Sequence, residues 1–429
     1  MSLVESEKKQ WVKNFDTLAT SERRRTALAL VNAALNAIDT PQVVRNAVEV
    51  NGHVLRVKDR TFALSRFKRI LVLGIGKAAS RAAQALEEIL GAQLAGGVVI
   101  GSEAFVSQSL RVFHGDHPLP SAANVEASGR VAELAKGMTE RDLALVVVSG
   151  GGSAHLCWPE SECEQGRRLY HDFVKCGGSI VELNTVRKHL SSLKGGGLAK
   201  AFFPATVVGL IFSDVPGDGF ESVASGPTYY DETTVQDAEH ILEKYQLSGY
   251  SLMETPKDRM SFSTVSNIPL VSNRIALEAM RERAGELGLK ATILSDRLYD
   301  PVAVVAEQLF AAAKAGEKPQ VILAGGEPEV KVPSIHGLGG RNQLLALHTL
   351  SRLKPGQLFV SFGSDGLDNG PAAGAIADGQ IAVRGRELSL DCEDHLRRFD
   401  AGTFFERTGG LIITGPTQAN VSDLMLLLS

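Results

Sequence analysis

RILVLGIGKAASRAAQALEEIL, residues 69–90, decides the fold. Five apolar side chains crowd into Ile70–Ile75 without polar alternation, the pattern of a strand buried on both faces of a parallel sheet. The strand runs into Gly74-Ile75-Gly76-Lys77-Ala78-Ala79, a GxGxxA turn, and then into an Ala- and Leu-rich helical stretch. Glycine lets a backbone approach an oxyanion closely, and a helix start favours negative charge. Lys77 adds a cation that suits phosphate or carboxylate. The turn is not a P-loop, because Leu71 stands where the first glycine belongs and Ala78 follows the lysine.

The same rhythm recurs outward along the chain. Short apolar runs ending in glycine or polar loops lie at 96–101, 143–152, 206–217, 290–296, 319–327, 357–366 and 410–416, with helical stretches such as 273–288 and 342–353 between them. Strand, glycine turn, helix, strand predicts an α/β fold with a parallel sheet. The first sixty residues read as helical with a short strand at their end; Ser21, and Thr40 with Pro41, mark helix starts. Residues 245–267 are polar and aperiodic, so the reading divides the chain into an N-terminal domain 1–245, a linker 246–266 and a C-terminal domain 267–429.

Composition narrows the function classes. The chain has 429 residues, 45 basic and 49 acidic, giving a net charge of −4 that offers no basic footprint for nucleic acid or an anionic membrane. No run approaches the ~20 apolar residues of a membrane span, and the first residues lack a signal-peptide core. A cytoplasmic protein is expected. Four cysteines without a C-x-x-C pair predict reduced thiols.

Ligands of a parallel sheet gather at the carboxyl ends of its strands. The run 143–148 ends in Ser149-Gly150-Gly151-Gly152-Ser153, whose successive N–H groups and hydroxyls suit a phosphate. Arg187, Lys188 and Lys194 concentrate positive charge beside a further glycine run, 195–197. Gly337–Gly340 leads into Arg341 and Asn342 at a helix start. Acids follow two other strands: Asp214 and Asp218 in one loop, Asp365 and Asp368 in the other. Paired acids opposite basic glycine loops suit Mg²⁺ coordination and activation of a hydroxyl nucleophile, with Asp218 and Asp368 as metal candidates. His114 and His117, in HGDHPLP, lack a third ligand at metal spacing and read as part of a proline turn; His155 either contacts a ligand or packs.

The ordered set GIGKAA, HGDHPLP, VSGGGSA, NTVRKHLSSLKGGGLA, SDVPGD, ASGPT, AGGE, GGRNQ, GSDGLD and TGPTQANVSDL resembles the glycerate 2-kinase family, of the type with a MOFRL C-terminal domain, some of whose members carry hydroxypyruvate reductase as a provisional label. The resemblance runs from about residue 22 to the end. It implies a Rossmann-like N-terminal domain, a smaller α/β MOFRL domain and an active site in the cleft between them. It also implies transfer of the γ-phosphoryl group of ATP to the 2-hydroxyl of D-glycerate with Mg²⁺. On this chain the family's motif lysine is Lys77 and its arginine Arg341, and its acids are Asp214, Asp218 and Asp365. Lys77 and Arg341 are then expected to neutralise the transferring group, Asp214 or Asp365 to position the hydroxyl or hold Mg²⁺. Gly74, Gly76, Ser149, Gly150, Gly151, Gly152, Ser153, Arg187, Lys188, Lys194 and Asn342 are expected to bind substrate or nucleotide. Two departures stand out: Asp368-Asn369-Gly370-Pro371-Ala372 replaces a Thr-Asp pair, and Pro328 follows the glutamate of GGE. The expected partners are D-glycerate and ATP, with a homodimer left open.

The rival readings are an NAD(P)H-dependent hydroxypyruvate reductase and a non-catalytic binder. The first would use GxGxxA with Glu103 as its ribose-binding acid, although Glu103 lies further along than the usual ~20 residues.

Overall fold

The computed structural model describes residues 9–215, Gly217, 219–315 and 320–429. Two compact units emerge: residues 40–215 and 219–270 form one, and 9–39, Gly217, 271–315 and 320–429 form the other.

The first unit opens with three antiparallel strands, β1 (Val48–Asn51), β2 (Val54–Val57) and β3 (Arg60–Ala63), where one short strand was expected. Two-residue turns join them, with Gly52 at φ +57° in the first and Lys58 at φ +50° in the second, the positive angles tight hairpins require. The main sheet is built from β4 (Arg69–Ile75), β5 (Leu94–Gly101), β6 (Leu110–His114), β7 (Asp142–Ser149), β8 (Thr206–Phe212) and β9 (Val265–Val271), in the order β6-β5-β4-β7-β8-β9. The pairings β5–β6, β4–β5, β4–β7 and β7–β8 are all parallel. Every residue of β7 is buried, as its unbroken apolar run requires of a strand covered on both faces. Leu71, Leu73 and Ile75 of β4 and Val146 and Val148 of β7 share a core with helix residues Ala127, Val131, Leu198 and Phe202. Burying each such large aliphatic side chain stabilises the fold by roughly 1.5–3 kcal/mol before chain entropy is subtracted.

This strand order is that of a doubly wound, Rossmann-like sheet. The chain works outward from β4 in one direction, then restarts at β7 and works outward in the other. Between β4 and β7 the flanking connections diverge, leaving a crevice at the carboxyl ends of those strands.

Residues 246–266, expected to be a linker, lie within the first unit. Tyr245, Leu247, Tyr250 and Leu252 pack on a cluster of Leu169, Phe173, Leu183 and Val186, and the Met253 N–H donates to the His189 carbonyl at 2.7 Å. A few apolar anchors pin a segment that lacks periodicity. The expectation of four reduced thiols is likewise corrected. Cys157 and Cys163 are joined as a disulfide, because the bend between the helix Gly152–His155 and the helix Glu160–Cys176 brings their Cα atoms to 5.4 Å, within disulfide reach. Cys176 and Cys392 are free.

The second unit holds β10 (Lys290–Leu298), β11 (Gln320–Gly326), β12 (Leu358–Gly363), β13 (Gly374–Asp378), β14 (Leu411–Ile412) and β15 (Asp423–Leu428), in the order β10-β11-β15-β12-β13-β14. It is mixed rather than parallel: β15 runs antiparallel to both β11 and β12, and β13 antiparallel to β12 and β14. The helix Glu22–Ala37 packs on the helix Asn273–Glu286 of this unit. Its Arg24 makes a two-pronged, buried ion pair with Asp378 at 2.7 and 2.8 Å. These contacts place residues 9–39 with the C-terminal half. No helix among the described residues is long and apolar enough to cross a membrane.

Candidate active site

Both lips of the β4/β7 crevice carry glycine loops. Gly76 sits at φ +108°, and a Cβ there would collide with the backbone and hydroxyl of Ser149. Only glycine lets the two strand ends approach this closely. Ser149 stitches them together: its hydroxyl donates to the Ile75 carbonyl and accepts from the Ala78 N–H, each at 3.1 Å. The Lys77 N–H donates to the Gly150 carbonyl at 2.9 Å. Asp214, at the end of β8, packs its carboxylate onto Gly150 where a side chain would stand. Above Gly151 the corresponding space is shared by Lys77 and His117. The structure thus brings together Gly74, Gly76, Lys77, Ser149 to Ser153 and Asp214.

Arg187 joins this group from the helix Ile180–His189. Its guanidinium meets the Asn184 side-chain oxygen at 3.5 Å, the Ser225 hydroxyl reaches the same oxygen at 3.3 Å, and Ser225 and Ser153 hydroxyls lie 2.8 Å apart. Pro118, Ser153 and Arg187 line one small cavity. Ala224 and Ser225 hold positive φ angles of 52° and 59°, backbone strain of a kind that clusters at binding sites. Burial lowers the Arg187 pKa to about 10, still leaving it charged at neutral pH. Neither Lys77 nor Arg187 makes an ion pair among the described residues, whereas their fields both act on His117. Uncompensated positive charge around glycine backbone is what an anion would neutralise.

The other two cations expected here have carboxylate partners of their own, and Lys194 with its partner also lines the cavity of Ser153 and Arg187. Lys188 pairs with buried Asp231 at 3.0 Å. Lys194 is buried against Glu162 and donates to the Leu156 carbonyl at 2.6 Å. Both are structural ion pairs, made with carboxylates dozens of residues away in sequence.

His117 and His155 lie beside these loops, and His155 packs, one of the two alternatives its sequence left open. Their rings meet edge to face, 6.3 Å between centroids. His155 is fully buried, and neither ring nitrogen has a hydrogen-bond partner among the described residues. The Ile100 backbone favours its protonation slightly but in geometry too poor for a hydrogen bond. Burial first, then the neighbouring His117, pulls the His155 pKa down to about 4. The His117 pKa is also lowered, by burial first and then by Lys77 and Arg187. In sequence, His155 is marked by its place beside the glycine loop and His117 only by the HGDHPLP motif.

In the second unit, Arg341 begins the helix Arg341–Leu350. It is ion-paired on two sides, to Glu327 at 2.9 Å and to buried Asp423. Burial raises the Asp423 pKa to about 7, outweighing the opposing pull of Arg341 and Asn342. Asn342, expected to touch ligand, is buried: it donates to Asp423 at 2.7 Å and accepts from the Ser361 hydroxyl at 2.5 Å. Asp368, expected as a metal ligand, instead accepts from the backbone N–H groups of Asn342 and Gln343 at 3.1 and 2.8 Å and from the Gln343 side chain. It anchors a helix start, and its oxygens are spent there. Asp365 accepts from the Leu367 N–H at 3.0 Å with one oxygen; the other makes no hydrogen bond among the described residues. Asp218 lies outside the described residues. Glu103 follows β5, and its carboxylate is met by Arg81 at 3.5 Å.

Residues 26–256 match a family described as a domain of unknown function (DUF4147), and residues 320–423 match the MOFRL family. The chain is 33% identical to glycerate 2-kinase of Pyrococcus horikoshii, covering 94% of this chain and 96% of that one. It is 34% identical to D-glycerate 2-kinase of Thermotoga maritima, covering 90% and 96%. The crystal structure of Thermotoga maritima glycerate kinase superposes with a TM-score of 0.82 at 32% identity, covering 94% of this chain and 98% of that one. Sequence, fold and a Rossmann-like crevice lined by glycine loops agree, and the chain is a phosphotransferase belonging to the glycerate 2-kinase family.

Proposed function

We propose that this enzyme transfers the γ-phosphoryl group of ATP to the 2-hydroxyl of D-glycerate, giving 2-phosphoglycerate and ADP. The observation that carries the reading is the switch point itself, where two glycine loops meet and Lys77 and Arg187 make no ion pair among the described residues. Phosphoryl transfer has a loose transition state in which positioning and charge stabilisation outweigh base chemistry. In this assignment the loops 74–76 and 150–153 hold phosphate oxygens through backbone N–H and hydroxyl groups. Lys77 and Arg187 supply the neutralising charge. Asp214, packed on Gly150, orients the acceptor hydroxyl. Arg341 offers a carboxylate-binding guanidinium, held in place from behind by buried Asp423.

Mg²⁺ fits the donor chemistry: Asp214 and Asp365 are half-exposed carboxylates, and Mg²⁺ is usually held by one or two such groups together with substrate phosphates. When bound, it would spread phosphate charge, held by Asp214 or Asp365.

The test is ADP release from D-glycerate and MgATP, run beside NADH consumption with hydroxypyruvate. ADP release without NADH loss supports the kinase; NADH loss without ADP release overturns it in favour of a reductase.

A further inference from the structure

We infer that His117 is a third ligand-contacting group of the switch-point site, an imidazole that takes up a proton as a polyanion binds and then donates a hydrogen bond to it. The inference rests on the proposed nucleotide site.

Three observations place His117 there. Its ring shares the space above Gly151 with the Lys77 side chain, so both face the same point over the loop. Its neighbour Pro118 lines a cavity with Ser153 and Arg187, the hydroxyl and guanidinium of the same site. Its other side rests edge-on against His155, whose buried ring offers a neutral wall. The imidazole makes no hydrogen bond or ion pair of its own among the described residues. The groups around it are Lys77 from the loop after β4, Arg187 from the helix Ile180–His189, and His155 from the helix Gly152–His155. Asp214 packs on the adjacent Gly150, and from its own loop His114 and Asp116 lie 3.7 Å from one another.

The charges explain the behaviour. In the free protein Lys77 and Arg187 repel a proton from His117. A bound triphosphate reverses that field, since its own charge exceeds that of the two cations. The proton affinity of the ring then rises, and binding carries a proton with it. A merely structural turn histidine would show no such coupling.

Isothermal titration of the full chain with ADP, in buffers of different ionisation enthalpy, counts the protons taken up. Comparing wild type with His117→Gln cancels the protons exchanged by the nucleotide itself. Wild type should take up a fraction of a proton, up to about one, more than the variant near pH 7. Its affinity should strengthen by up to about tenfold more than the variant's as pH falls from 8.5 to 6.5. Equal proton uptake and parallel pH profiles would overturn the role of His117 while leaving the nucleotide site intact. Failure of wild type to bind ADP at all would overturn both readings. Unchanged far-UV circular dichroism and urea midpoint in His117→Gln guard against a folding defect.

Discussion

Gly76→Ala asks how tightly the two lips of the crevice are joined. The new Cβ would have to occupy space held by the Ser149 carbonyl and hydroxyl, at a backbone angle of φ +108°. Left-handed strain contributes about 1–3 kcal/mol, and forcing an atom into packed backbone about as much again. If β7 shifts to make room, the two Ser149 hydrogen bonds to Ile75 and Ala78 loosen as well, each worth ~0.5–1.5 kcal/mol. The sum is roughly 3–9 kcal/mol, a large share of the ~5–15 kcal/mol that holds a typical domain. Two glycines serve as controls. Gly52 shares a positive φ, +57°, but has open space around it, so Gly52→Ala should cost only about 1 kcal/mol. Gly74 has no positive φ, and its Cβ would press Val99 and Ala79 at 3.1 and 3.2 Å, again about 1 kcal/mol. Urea unfolding followed by circular dichroism should place the Gly76→Ala midpoint roughly 1–3 M below wild type, with both controls within about 0.5 M. A Gly76→Ala midpoint matching Gly52→Ala would refute the claim that the strand ends touch through this residue.

Three further outcomes are expected. Asp378→Ala leaves the Arg24 charge buried and unpaired and removes a helix cap at the Ile381 N–H, so it should destabilise by about 3–5 kcal/mol, and a loss under 1 kcal/mol in urea unfolding would contradict a buried pair. Burial lifts the Asp423 pKa to about 7 in the folded state; the folded protein therefore binds more protons than the unfolded one between the ordinary carboxylate range and pH 7, and this group's contribution to stability falls as pH rises through that window. Asp423→Asn should flatten that part of the stability–pH curve, and an unchanged curve would argue against it. His155 acts in the opposite sense: its folded pKa of about 4 lies below the ordinary value, so its contribution is lost as pH falls from ~6.5 towards 4, and His155→Asn should lessen acid unfolding over that range.

The parts of the fold written locally were legible. Runs buried on both faces, such as 69–75 and 142–149, are read directly as strands, and the glycine clusters that follow them as turns into helices. What depended on distant partners was not. Asp423–Leu428 is as apolar as any strand, yet its place between β11 and β12, antiparallel to both, is set by pairing across the sheet. Arg187, Lys188 and Lys194 look alike in sequence. Only the fold shows that Asp231 and Glu162 engage two of them, while Arg187 has no carboxylate partner among the described residues. Likewise Asp368 and Asp365 are three residues apart, and only the position of the helix Arg341–Leu350 makes one an anchor and leaves the other half-open.

The central claim is that the β4/β7 crevice holds the phosphates of ATP through Lys77 and Arg187. Equilibrium binding of ATP to wild type, Lys77→Ala, Arg187→Ala and the double variant addresses it without relying on turnover. Each charged hydrogen bond lost should weaken binding by roughly 1.5–3 kcal/mol, about ten- to a hundredfold, and the double variant should bind no measurable ATP while unfolding like wild type. Wild-type affinity in both single variants would contradict the account.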